Sequence, residues 1–119
     1  MGLTAEELRD RSKNFALRIV KLFRSLPPAT DAQVIGKQLL RSGTSVAANY
    51  RSACRARSRA EFASKMGIVA EEADESVFWL EMLSETGIVR TQRVDPLLKE
   101  SKELTAIFTA ALYTTKASR

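Results

Sequence analysis

No histidine occurs anywhere in this 119-residue sequence. Its absence removes the commonest general base, the Ser-His and Cys-His nucleophile pairs and the usual transition-metal ligand. It also excludes the ferritin-like di-iron bundle, which needs a Glu-x-x-His motif on two helices. A single cysteine, Cys54, rules out an internal disulfide and fits a reducing compartment. No apolar run approaches the ~20 residues of a membrane-spanning helix. The start, MGLTAEELRD, is charged and lacks the apolar stretch of a signal peptide, and Ala5-Glu6 stand where a myristoylation signal needs Ser or Thr. The expectation is a cytoplasmic protein with no membrane association, no catalytic residues, no cofactor and no metal.

What remains is the balance of a globular chain, 45% hydrophobic and 28% charged, about one domain long (residues 1–119). The net charge of +5 is unevenly placed. Residues 1–60 hold twelve Lys or Arg against four Asp or Glu, and residues 61–119 hold seven against ten. Such asymmetry points to a basic face for a polyanion or acidic partner, or to electrostatic matching between helices or subunits.

Few helix breakers interrupt the chain, and those present divide it into four helical stretches. Thr4 with Glu7 forms a capping box that opens the first, and Pro27-Pro28 ends it. Thr30 with Gln33 opens the second, and Ser58 with Glu61 the third, which Gly87 terminates in a left-handed turn. The fourth starts at Thr91 or, by the stronger cap-then-proline signature, at Asp95-Pro96. These signals predict helices near 4–26, 30–56, 58–86 and 91–115. Each carries an apolar seam stepping by three and four. The seams are Ala5-Leu8-Ser12-Phe15-Ile19-Leu22-Leu26, then Ile35-Leu39-Ser42-Val46-Asn49-Ala53. They continue as Phe62-Met66-Val69-Ala73-Ser76-Leu80-Leu83 and Val94-Leu97-Ser101-Leu104-Phe108-Ala111-Thr115. Four such seams with short connections predict an all-α fold, an antiparallel up-and-down four-helix bundle. A dimerising helical hairpin would need the same seams, but the evenly spaced breaks favour the bundle.

Three constellations stand out. Ser42 and Asn49, one heptad apart in the second seam, form a polar core pair that fixes helix register or else contacts a ligand. Lys37, Arg41, Arg51 and Arg55 share one arc of the second helix, and Arg57 and Arg59 continue it through the turn. This basic stripe is a candidate nucleic-acid surface with Tyr50 as its nearby aromatic, or else a solvated face ion-paired to the Glu-rich third helix. On the third helix Ile68, Phe78, Trp79 and Met82 lie outside the core seam, interleaved with Glu71, Glu72, Asp74 and Glu75. A helix apolar on two sides needs a second partner, and a neighbouring subunit supplies one; otherwise the core is wide and Trp79 partly covered. Without histidine the four acids are better placed to pair with Arg than to hold a metal. Cys54, on an Ala-rich helix beside Arg51 and Arg55, reads as a packing residue.

The segments RSGTSVAANYRSA (41–53) and SRAEFASKMGIVAEEADESVFWLEML (58–83) resemble the four-helix-bundle proteins encoded in intervening sequences of bacterial 23S ribosomal RNA genes. The matching positions are Arg41, Ser45, Val46, Asn49 and Tyr50, then Ser58, Glu61, Phe62, Ile68 and Glu75, and the likeness runs on to ELTAIF in the fourth helix. It departs at Ser52-Ala53 and at Glu71-Glu72. The family is similar in turn to accessory proteins of diversity-generating retroelements. The resemblance implies a homo-oligomeric ring, preferably a pentamer, with no enzymatic activity. For the retroelement relatives it implies a basic surface that binds RNA or DNA and a reverse transcriptase. The combined expectation is a non-enzymatic homo-oligomer that binds nucleic acid; the alternative is a protein-interaction and assembly scaffold with no nucleic-acid role.

Overall fold

The computed structural model describes residues 2–117; Met1, Ser118 and Arg119 of the expected domain lie outside the described residues. Four helices follow one another: α1 (Ala5–Arg24), α2 (Thr30–Ala53), α3 (Arg59–Glu85) and α4 (Thr91–Ala117). No strand occurs among the described residues. Each helix packs on its successor, and α4 closes back on α1 along the loosest of the four seams. This is the expected all-α, up-and-down four-helix bundle, drawn out to 48 × 25 × 20 Å. No helix of the described residues is long and apolar enough to cross a membrane.

The helix ends show which local signals acted. Thr4 is a full capping box: its hydroxyl accepts from the Glu7 N–H at 3.1 Å, and the Glu7 carboxylate accepts from the Thr4 N–H. Those bonds from Thr4 hold the Glu7 carboxyl below its ordinary value. Ser58 caps α3 by accepting from the Glu61 N–H, while the Glu61 carboxylate turns toward Arg57. The expected box at Thr30 is not formed. Ala29 occupies the cap position with no side-chain bond, and Gln33 reaches back to donate to the Pro27 carbonyl at 2.9 Å. Pro27-Pro28 extends the chain into the helix, so Thr30 becomes its first residue rather than its cap.

Two ends fall short of the predicted bounds for one reason. After Arg24 and after Ala53 the backbone tightens into three-residue bonds, Ser25 to Leu22 and Arg55 to Ser52 among them, which satisfy the last carbonyls. Leu26 is nevertheless buried, folded back over the end of the core. Gly87 takes φ +76°, a conformation that suits glycine, and Val89 beyond it donates to Leu83 and buries itself. The Asp95-Pro96 signature did not set the start of α4. The helix opens at Thr91 on the Arg90 carbonyl, and Pro96 sits inside it, where its missing N–H removes only one bond.

The core follows the seams closely. Every seam position from Leu8 to Leu26, from Met66 to Leu83 and from Val94 to Phe108 is buried. Ala5 is exposed, and Phe62, Ala111 and Thr115 are only half-buried toward the bundle's ends. The second seam differs at one position. Asn49 is half-buried, and its amide donates to the Ser45 carbonyl and hydroxyl on its own helix. Tyr50 takes the core place instead, its ring 5.0 Å from that of Phe108. The amide can be satisfied within α2, whereas a ring contributes more buried apolar area. Ser42 is buried as expected, and each helix contributes one such serine: Ser12, Ser42, Ser76 and Ser101.

Candidate nucleic-acid interface

The basic stripe read from α2 alone is divided by the neighbours that pack on either side of it. Arg41 lies toward α3, where its guanidinium pairs with Glu72 at 3.0 Å and with Glu75. Glu75 in turn accepts from the Trp79 indole N–H at 2.9 Å, so Arg41 belongs to a polar clasp between α2 and α3. Arg51 and Arg55 lie toward α1. There they meet Arg9 and Lys13 around an open groove of about 640 Å³. Lys37 is exposed on the outer surface of α2 and does not line that groove. Arg57 is exposed beside Glu61 at 3.8 Å, and Arg59 begins α3.

The groove has a defined construction. Consecutive turns of α1 place Arg9 and Lys13 on one side, and the end of α2 places Arg51 and Arg55 on the other. Ala47 and Ala48 form part of its wall, leaving the long cationic chains room to extend. Asp10 is its one acidic lining residue. None of the four cations is held in an ion pair among the described residues, unlike Arg41 and Arg11. Four cations outside any ion pair, around one concavity with a single carboxylate, produce a positive field focused on the groove. Guanidinium and ammonium groups so placed can neutralise several phosphates of one chain.

Tyr50 is not the stacking aromatic that its sequence position beside Arg51 implied. It is buried, and burial together with a hydrogen bond to Cys54 pushes its phenol well above the usual tyrosine range. Cys54 lines the groove while resting partly on the core. Sequence reasoning missed Arg9 and Lys13 because the wheel of α2 does not show which flank α1 occupies. The concentration of positive charge in residues 1–60 was the signal that included them.

On α3 the four candidate interface residues divide as well. Ile68 and Phe78 are 44% and 50% exposed, whereas Trp79 and Met82 rest partly against the chain's own core. Phe78 meets Trp79 edge to face, with centroids 4.8 Å apart. Glu72 and Glu75, on the same face, are engaged by Arg41. Among the described residues no group of three or more His, Cys, Asp or Glu is placed to hold a metal ion.

Comparison with known proteins agrees with the four-helix bundle. The sequence profile of the 23S rRNA-intervening sequence protein family matches residues 6–110. The chain belongs to that family. A crystal structure from Bacteroides thetaiotaomicron, of a protein of unknown function in the S23 ribosomal protein family, superposes with a TM-score of 0.86 at 35% identity. The match covers 93% of this chain and 99% of that one. No curated protein matches the chain significantly. Family membership thus fixes the fold that carries the groove.

Proposed function

We propose that this family member is a non-enzymatic, homo-oligomeric bundle that binds nucleic acid through the groove between α1 and α2. The observation that carries the proposal is the convergence of Arg9, Lys13, Arg51 and Arg55, none ion-paired, around one open concavity. Charge of this kind reads the phosphate backbone and not the bases, so RNA and DNA bind with little sequence preference. Self-association uses the exposed apolar part of α3, Ile68 and Phe78, with Trp79 beside them. The resemblance to ring-forming bundles favours a pentamer. Repetition of the groove around such a ring lets several weak contacts act on one strand through effective concentration.

The test is retention of RNA and DNA by the purified protein as salt is raised. Binding at low salt that falls steeply and log-linearly with salt concentration is expected, because each neutralised phosphate releases condensed counterions. No retention even at low salt would overturn the proposal. The α3 face, which the nucleic-acid reading does not require, would then favour an assembly scaffold in its place.

A further inference from the structure

We infer that the groove is one end of a longer cationic track along the outer face of α1, and that the track takes a single strand rather than a duplex. The inference rests on the reading that the groove binds phosphate. Lys13, Leu17, Lys21 and Arg24 are all exposed and recur at helical spacing on the side of α1 away from the core. Between Asp10 and Asp31 the chain has no acidic residue. Lys21 and Arg18 open onto a second depression of about 250 Å³ between α1 and α4, which Arg93 also lines. Arg93 is fixed there by its bond to the Ser25 hydroxyl at 2.6 Å. Neither Arg18, Lys21 nor Arg24 is ion-paired among the described residues. The acids of α4 nearest this seam, Glu100 and Glu103, are taken up by Arg11.

The path from Arg9 to Arg24 is about 22 Å long at the helical rise. It starts beside α2 at Arg9 and opens beside α4 at Arg18 and Lys21, so it passes around a helix roughly 10–12 Å across. A duplex with a persistence length of about 150 base pairs touches such a curved surface at one end or the other. A flexible single strand follows it throughout. No aromatic side chain is exposed on α1 or α2, so the bases find no stacking platform and binding depends on phosphate. Leu17, 56% exposed at the middle of the track, offers a small apolar surface to a base.

The experiment uses labelled single-stranded oligonucleotides of about 4 and about 12 nucleotides, within the usual range of single-strand site sizes. Affinity is measured across a salt series for the wild type, Arg18→Gln/Lys21→Gln and Arg51→Gln/Arg55→Gln, each checked for native helicity and melting temperature. Loss of two phosphate contacts should flatten the salt slope of Arg18→Gln/Lys21→Gln on the longer strand by about 1.4. The shorter strand, held by the groove, should bind this variant as it binds the wild type. An unchanged slope on the longer strand overturns the track, and the groove reading stands if Arg51→Gln/Arg55→Gln still weakens both lengths. A duplex of the longer length that binds as tightly as the single strand overturns the single-strand assignment. If the wild type binds neither length at low salt, the groove reading fails and the track with it.

Discussion

Ser42 and Ser76 meet across the α2–α3 seam with their oxygens 2.8 Å apart. Burying a hydroxyl is costly unless it is paired. Each hydroxyl has one proton to give: with Ser76 donating to the Glu72 carbonyl at 2.9 Å, Ser42 donates across the pair, and the Leu39 carbonyl at 3.3 Å is its alternative acceptor. Ser101 crosses to the Ala73 carbonyl on α3, and no buried side-chain polar atom among the described residues lacks a partner. Replacing either Ser42 or Ser76 by alanine should cost about 1 kcal/mol in urea unfolding. The double replacement should cost less than the sum by about 0.5 kcal/mol or more, because each single change strips a partner from the other. Strict additivity would show that the 2.8 Å contact carries no energy of its own. Ser42 was recognisable in the sequence as a polar core residue. Its partner was not, because a heptad count pairs it with Asn49 on the same helix, and only packing brings Ser76 to it.

Whole helices show the same division between what periodicity reveals and what packing decides. Three-and-four spacing located most of the buried positions, since a seam facing a common core is a property of each helix alone; small residues beside the seams, such as Ala32, Ala63 and Ala70, are buried as well. The flanks are different. Whether an arginine beside the seam meets carboxylates or solvent depends on the neighbouring helix, which the wheel of α2 does not contain. Arg41 and Arg51 therefore separated, although they share one arc. Closeness between helices also rests on single residues. A Cβ on Gly43 would lie 2.9 Å from the Ile19 Cγ1 and 3.3 Å from its Cβ, against a β-branched side chain with little freedom. A Cβ on Gly36 would instead meet the terminal methyl of Leu26 and the Phe23 ring edge, which can move aside. Gly43→Ala should destabilise the bundle by about 1 kcal/mol or more, the crowding outweighing alanine's better helix propensity. Gly36→Ala should lie nearer to neutral. Equal melting temperatures for the two variants would mean that the α1–α2 approach is not set at Gly43.

At the scale of the molecule, the proposal assigns its two surfaces to different tasks, phosphate binding between α1 and α2 and self-association on α3. Light scattering at micromolar concentration should return several times the chain mass of 13.2 kDa. Ile68→Glu/Phe78→Glu should reduce that mass, because both side chains are half exposed and their replacement spares the core. A wild-type monomer would remove the assembly part of the account, and an unchanged mass in the variant would remove α3 as its surface. The groove is the central claim, and the division of the α2 stripe supplies its most direct test. Anisotropy titrations with one labelled RNA at low salt should compare the wild type, Arg51→Gln/Arg55→Gln and Arg41→Gln at matched oligomer mass. The groove pair should lose about tenfold or more in affinity, from two missing charge-assisted contacts. Arg41→Gln should keep wild-type affinity, because that guanidinium is already committed to Glu72 and Glu75. Equal losses in the two variants, or a loss with Arg41→Gln alone, would contradict the groove as the binding surface.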